Sequence, residues 1–404
     1  MRTASVDKAP SSILVIDHPS RGGMHAAFNA CYLRILRHAY PQARLTICAH
    51  ASHNEELQKE ISDLDNTAWL ERRDLYDNGG IVPPFRSHLQ RLKAVLVGAH
   101  RSNVGIKDAA KRSDADLIIV ICPAPLTVGA LRFLKLPKPA PIHLVLFGQL
   151  KTAKKDAQRH AIWAALSFKN EIRLGARKTV TFICLEKHVE SALHAYMGHD
   201  KTRTYHLEHP IPQPLAPLPK AQPREDTRSP TKFGFLGMAV PVKGFPDFVA
   251  AAHALRGPDV EFHAIGHSVG GLEGLNLSAL KTPPGRDKVP QDAFIAGLQA
   301  MDAIVQPLSA AYADYSSGTI LDAVAYEKPL FALTNSLMDW LEQRGMPIGH
   351  MAPDMDGLIA AMRAFADGKM RKEAKQWRKN QQAFKAERAL PALAEKYKRY
   401  IEAG

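Results

Sequence analysis

Short apolar runs alternate with longer amphipathic stretches along most of the chain, which is the pattern of strands buried on both faces between covering helices. Ser12-Ile13-Leu14-Val15-Ile16-Asp17 is the first such run; a Gly22-Gly23 turn follows, then helical periodicity through Phe28, Cys31, Leu33 and Leu36. Leu45–Cys48, a helix over Asn54–Leu64 and the β-branched run Leu117–Cys122 continue the alternation. His143–Phe147 and Thr179–Leu185 add two strands, the second leading into a helix over Glu186–Met197. Residues 209–230 hold seven prolines and almost no apolar period, so they read as a linker. The pattern restarts at Lys232 with Phe-Gly-Phe-Leu-Gly, a helix over Phe248–Leu255, a strand closing on Gly266 and a helix over Pro290–Ala300. Met301–Thr334 reads as strand, loop, helix, strand; helices over Leu337–Gln343 and Gly357–Phe365 and one long basic helical tract, Lys369–Glu402, complete the chain.

These elements predict an α/β protein of two domains, since 404 residues exceed what one core usually organises. The expected boundaries are an unstructured lead at 1–11, a first domain at 12–208, the linker at 209–230, a second domain at 231–385 and a final helix at 386–404. The lead is charged and lacks a signal-peptide core, and no run approaches the ~18 apolar residues of a membrane span. The four cysteines have no metal-like spacing, and three lie in strand-like runs, which points to buried thiols in a reducing, cytoplasmic compartment.

Charge changes the picture. The net charge is +13, and Arg86 to Lys178 alone carries eighteen bases against five acids, an excess equal to that of the whole chain. A field of that sign suits a polyanionic partner: an anionic membrane face, a pyrophosphate-bearing lipid or a nucleic acid. Within it, Phe85, Leu89, Leu92, Leu96 and Ala99 share one helical face while Arg86, His88, Arg91, Lys93, His100 and Arg101 fall elsewhere. A basic amphipathic helix is a membrane-surface element, and a core-packing helix with a solvated basic side reads equally well. Trp163 and Phe168, set among Lys154, Lys155, Arg159, Lys169 and Arg173, form a second interfacial pattern.

The candidate chemistry centres on Met301–Thr334. Ser316-Ser317-Gly318-Thr319 opens a helix fed from a strand end, offering unpaired N–H groups, hydroxyls and the positive end of the helix dipole to a phosphate. Asp314 and Asp322 flank this cap. Acid, seven residues, acid, then Ala323-x-Ala325-x-x-Lys328-Pro329 resembles the nucleotide-sugar signature of GT-B glycosyltransferases, family 4 above all. The pattern has Glu at both acids and Gly at the position of Glu327. Lys243-Gly244 resembles the Lys-Gly pair that contacts the donor diphosphate, whereas Met238 stands where the pattern has Arg. Arg286, which has no matched position, is the alternative source of that charge.

The resemblance implies two Rossmann-like domains with a cleft between them and a final helix crossing back to the first. It places Asp314 at the donor sugar and Asp322 on the ribose hydroxyls. Donor contacts then fall to Gly22, Gly23, Gly237, Lys243, Gly244, Gly266, Ser316, Ser317, Gly318 and Thr319. The implied reaction moves a sugar from a UDP- or GDP-linked donor to a glycan or lipid-linked acceptor at the cytoplasmic membrane face, in polysaccharide or glycoconjugate synthesis. No metal is expected, since no Asp-x-Asp metal triad is evident and the resemblance implies that helix dipoles and bases serve instead. Family 4 membership implies retention; inversion would need a base from the first domain, with Asp17 and His25 as candidates by position. Two alternatives remain: a teichoic-acid-type glycerophosphotransferase, which Asp314-Tyr315-Ser316-Ser317 also resembles, and a non-catalytic nucleic-acid-binding protein. The last is disfavoured because aromatic and Arg-Gly interleaving is missing.

Overall fold

The computed structural model describes residues 9–17, 20–72, 88–123, 125–147, 180–197, 203–212, 229–309, 312 and 317–402. The chain forms two compact units, Met1–Pro210 with Arg388–Gly404, and Ile211–Glu387.

The first unit is built on seven parallel strands in the order β3-β2-β1-β4-β5-β6-β7. These are β1 (Ser12–Asp17), β2 (Arg44–Ala49), β3 (Thr67–Glu71), β4 (Leu117–Ile121), β5 (Ile142–Leu146), β6 (Val180–Leu185) and β7 (Thr204–Leu207). The central strands are the continuous apolar runs, buried along their whole length because helices cover both faces. The edge strands β3 and β7 escaped the sequence reading because they are short, partly exposed and mixed in polarity. The helices are α1 (Ala26–Ala39), α2 (Ala51–Glu60), α3 (His88–Ser113), α4 (Pro125–Ala130) and α5 (Lys187–Met197).

The second unit carries five parallel strands in the order β12-β11-β10-β8-β9. In chain order come β8 (Thr231–Leu236), α6 (Phe245–Ala254), β9 (Val260–Ile265), α7 (Gln291–Gln299), β10 (Ala303–Gln306) and α8 (Gly318–Ala325). β11 (Leu330–Leu333), α9 (Ser336–Gln343), β12 (Gly349–Ala352), α10 (Met355–Ala366) and α11 (Arg371–Glu387) follow. One sheet face packs an aromatic core of Phe233, Phe235, Phe248, Phe262 and Phe331; the other packs Leu236, Ile304, Ile320, Leu321 and Val324.

The helical tract expected from Lys369 to Glu402, with its final helix from 386, runs as α11 to Glu387 and resumes at Leu390. Arg388, buried, interrupts it by pairing with the Glu186 carboxylate and donating to His209 O at 3.1 Å. Beyond the break α12 (Leu390–Glu402) joins the first unit, where the Tyr397 hydroxyl meets His143 Nδ1 at 2.7 Å. The same contacts pull His209 out of the expected linker: it is 5 % exposed and its N–H donates to Glu186 at 2.9 Å. Most of the proline-rich segment, residues 213–228, lies outside the described residues.

Candidate functional site

In the second unit the predicted donor residues gather at the carboxyl ends of β8, β9 and β10. Gly237 N–H donates to Ile265 O (2.8 Å) and Ala239 N–H to His267 O (2.9 Å), so the loops after β8 and β9 stay zipped beyond the sheet. A Cβ on Gly266 would lie 1.8 Å from Gly237 O, and one on Gly244, whose φ is 77°, 1.8 Å from Pro307 O. Three strand-end loops therefore meet backbone to backbone, and only glycine permits it.

Lys243, closing the short 3₁₀ turn Pro241–Lys243, lies over this seam. Its Nζ is 3.6 Å from where a Cβ on Gly237 would sit, and Thr319 Cγ2 is 3.0 Å from the same point. Thr319 belongs to the first turn of α8, whose N-cap, Ser317, spends its hydroxyl on Thr319 Oγ1 (3.1 Å) and makes no bond to the backbone N–H groups. Gly318 beside it faces open space. A base, a bare glycine turn and an uncapped helix start thus share one small volume, which is the geometry that receives phosphate.

Asp322 lies one turn into α8. Burial pushes its carboxyl up to about 7, with Lys243 opposing the shift, and burial draws Lys243 down with Asp322 opposing. The Asp322 side chain makes no hydrogen bond or ion pair among the described residues, so two opposite charges face a shared space without closing on each other. Asp314 and Ser316 lie outside the described residues.

Glu327 occupies the position where the family pattern has Gly, and its φ is 55°. The chain needs a left-handed residue to leave α8. Glu327 is held there from α11: its carboxylate pairs with Lys385 (2.6 Å) and Arg378 (3.7 Å) and accepts from Gln382 (3.0 Å).

In the first unit Asp17, 2 % exposed, is fully engaged: it accepts from Ser20 N–H (3.0 Å) and from the Asn29 amide, which also meets His53 Nε2 at 2.8 Å. His53 Nδ1 bonds Gly22 O at 2.7 Å, and Gly22 N–H donates to Ser52 Oγ at 3.1 Å. Asp17 and Gly22 thus spend their polar groups shaping the loop from Ser20 to Gly23. His25 differs. It is exposed, left-handed (φ 57°), stacked on Phe147 at 5.4 Å, and Nδ1 meets Ser20 Oγ at 3.2 Å. Asn29 and His53 had not been singled out in the sequence; their only signal is lying on helices that follow β1 and β2.

The face expected of the basic helix α3 is met in part: Ala99 is buried, with Ser102, Ile106, Ala109 and Ala110 continuing the buried side, while Leu96 is 59 % exposed and the side chains of Phe85, Leu89 and Leu92 lie outside the described ones. Lys93, Leu96, Val97, His100, Val104, Lys107 and Lys111 form one exposed stripe, and Phe133, 66 % exposed, follows the adjoining α4. Residues 151–178, with Trp163 and Phe168, lie outside the described residues. Among the described residues no helix is long and apolar enough to cross a membrane.

No protein-family model matches the sequence, and neither does any curated protein. Solved structures do match. A sucrose-phosphate synthase from Thermosynechococcus elongatus superposes with a TM-score of 0.66 at 16 % identity, covering 98 % of this chain and 100 % of its own. TarM gives 0.64 at 11 % identity, covering 97 % and 98 %. Anabaena HepE, solved in complex with UDP-glucose, gives 0.62 at 14 % identity, covering 97 % and 100 %. The fold is that of the GT-B glycosyltransferases, two α/β units each built on a parallel sheet.

Proposed function

We propose that the protein is a glycosyltransferase that takes a sugar from a nucleoside-diphosphate donor. One observation carries this reading: Lys243, Gly237, Thr319 and Asp322 converge at the carboxyl edge of the second sheet, with a helix start left uncapped beside them. The reaction develops negative charge on the β-phosphate as the sugar leaves, and Lys243 with the N–H groups of Gly318 and Thr319 stabilises it in this reading. Asp322 holds the ribose hydroxyls. Asp314 and Ser316 complete the donor contacts, and the chemistry requires no metal.

The acceptor is a glycan or lipid-linked sugar, reached from an anionic membrane surface on which the α3 stripe and Phe133 rest. If the reaction inverts configuration, the base comes from His25 or Asp17, of which Asp17 already accepts from Ser20 N–H and the Asn29 amide. The glycerophosphotransferase reading is weaker because the Lys243-Gly244 turn is shaped for a diphosphate that is released. The test is nucleoside-diphosphate release from a panel of UDP- and GDP-sugars with oligosaccharide or polyprenyl acceptors, with and without EDTA. One donor should turn over, EDTA should have no effect, and Asp314→Asn should abolish release with the fold intact. Release from CDP-glycerol instead would sink the reading.

A further inference from the structure

Among the described residues the donor site has one cation, Lys243, for a diphosphate carrying more than one charge. The loop after β9 supplies a place for another. Residues 266–290 do not wander: Lys281 N–H donates to Phe262 O (2.8 Å), Ala264 N–H to Thr282 O (2.8 Å) and Ser268 N–H to Gly285 O (2.8 Å). The segment Lys281–Gly285 therefore runs parallel along the outer edge of β9, bridging His263 to Thr282 and His267 to Gly285. Pro283 and Pro284, which have no N–H to give, suit an edge segment and keep it extended.

That pairing fixes where Arg286 emerges. Gly285 is hydrogen-bonded to Ser268, His267 to Ala239, and Ala239 follows the Gly237 turn by two residues. Arg286 thus leaves the same carboxyl edge as Gly237 and Gly266, two ladder spacings of about 4.8 Å from the loop that bears Lys243. Gly271 closes the gap from the other side, since a Cβ there would lie 3.4 Å from Pro241 Cδ. Arg286 is exposed and makes no hydrogen bond or ion pair among the described residues. Met238, at the position where the resembled pattern has Arg, is 36 % exposed and carries no charge.

We infer that Arg286 is a diphosphate-binding residue, delivered to the donor site by the extra edge segment in place of the cation absent at Met238. A planar guanidinium gripping two phosphate oxygens is suited to this work. The inference rests on the donor-site reading above.

The experiment is calorimetric titration of the full-length protein with UDP, GDP and CDP and with the matching nucleosides, for the parent, Arg286→Ala, Arg286→Lys and, as a neighbouring control, Lys288→Ala. The parent should bind one diphosphate more tightly than its nucleoside. Arg286→Ala should weaken the diphosphate about tenfold or more and leave the nucleoside unchanged. Lys should restore part of the loss, and Lys288→Ala should behave as the parent. Equal weakening of diphosphate and nucleoside, or diphosphate affinity within twofold of the parent, would overturn the role of Arg286 and leave the donor site standing. Failure of every nucleotide to bind the parent would overturn both.

Discussion

Asp322 and Lys243 show how a site is kept open at a cost to the fold. Each is driven toward its neutral form by burial and held back by the other, without an ion pair forming. The carboxyl pKa of about 7 in the folded state lies above its value in an unfolded chain, so the folded state binds more protons between about pH 4 and 7. Stability should therefore fall as pH rises through that window and stay reduced above it. Asp322→Asn removes the penalty: we expect it to match the parent near pH 4, to melt higher than the parent at pH 8, and to raise the donor KM. Identical pH dependence of melting in the two proteins would contradict the assignment. Asp322 could be picked out of the sequence by its spacing from Asp314, but its pKa could not, because that depends on its burial in the folded unit, opposed by Lys243 from a loop 79 residues earlier. Asp17 is the converse. Its position after β1 suggested chemistry, and only the packing of Asn29 and His53 reveals that its oxygens are already taken.

Elements were legible where burial is two-sided. β1, β4, β5, β6 and β8 were plain because a strand covered on both faces has no polar positions to blur it. β3, β7 and β12 were not, since edge strands tolerate polar residues, and the pairing of Arg388 with Glu186 was not, since it is decided by tertiary contact. The exit of α8 was half legible: Glu327 was seen to replace a glycine, and the structure shows the left-handed backbone that glycine would ease together with the bases that hold the Glu. This makes an ordering prediction. Glu327→Ala loses the ion pairs and keeps the strain, whereas Glu327→Gly loses the pairs and relieves it, so Ala should be the less stable of the two by about 1 kcal/mol. Chemical denaturation measures the difference; a Gly variant no more stable than the Ala variant would show that Glu327 carries no backbone strain.

For the molecule as a whole, composition announced a polyanionic partner without saying which residues meet it. We propose that α3 meets it: the three lysines of its exposed stripe alternate with Leu96, Val97 and Val104, and Phe133 closes the short 3₁₀ turn that follows α4. Bases near anionic lipid contribute about 1 kcal/mol each, and exposed apolar side chains add burial at headgroup depth. The protein should sediment with anionic vesicles at low salt, leave them at high salt and ignore neutral ones. Reversing Lys93, Lys107 and Lys111 to Glu should release it while turnover on a soluble acceptor stays near normal. Retention on duplex DNA, with no preference among vesicles, would shift the basic surface to a nucleic-acid role.

Two α/β units with glycine turns at their strand ends describe the fold, yet the claim that matters is narrower: the carboxyl edge of the second sheet holds a nucleoside diphosphate through Lys243. Turnover depends on the acceptor as well, whereas donor binding depends on this edge. The decisive measurement is calorimetric titration of the parent and Lys243→Ala with UDP and GDP at fixed ionic strength. The prediction is selective binding of one of them by the parent and a loss of about 1.5 to 3 kcal/mol in Lys243→Ala, the range for hydrogen bonds to a charged group. Equal affinity in the two proteins, or no binding by the parent, would contradict it.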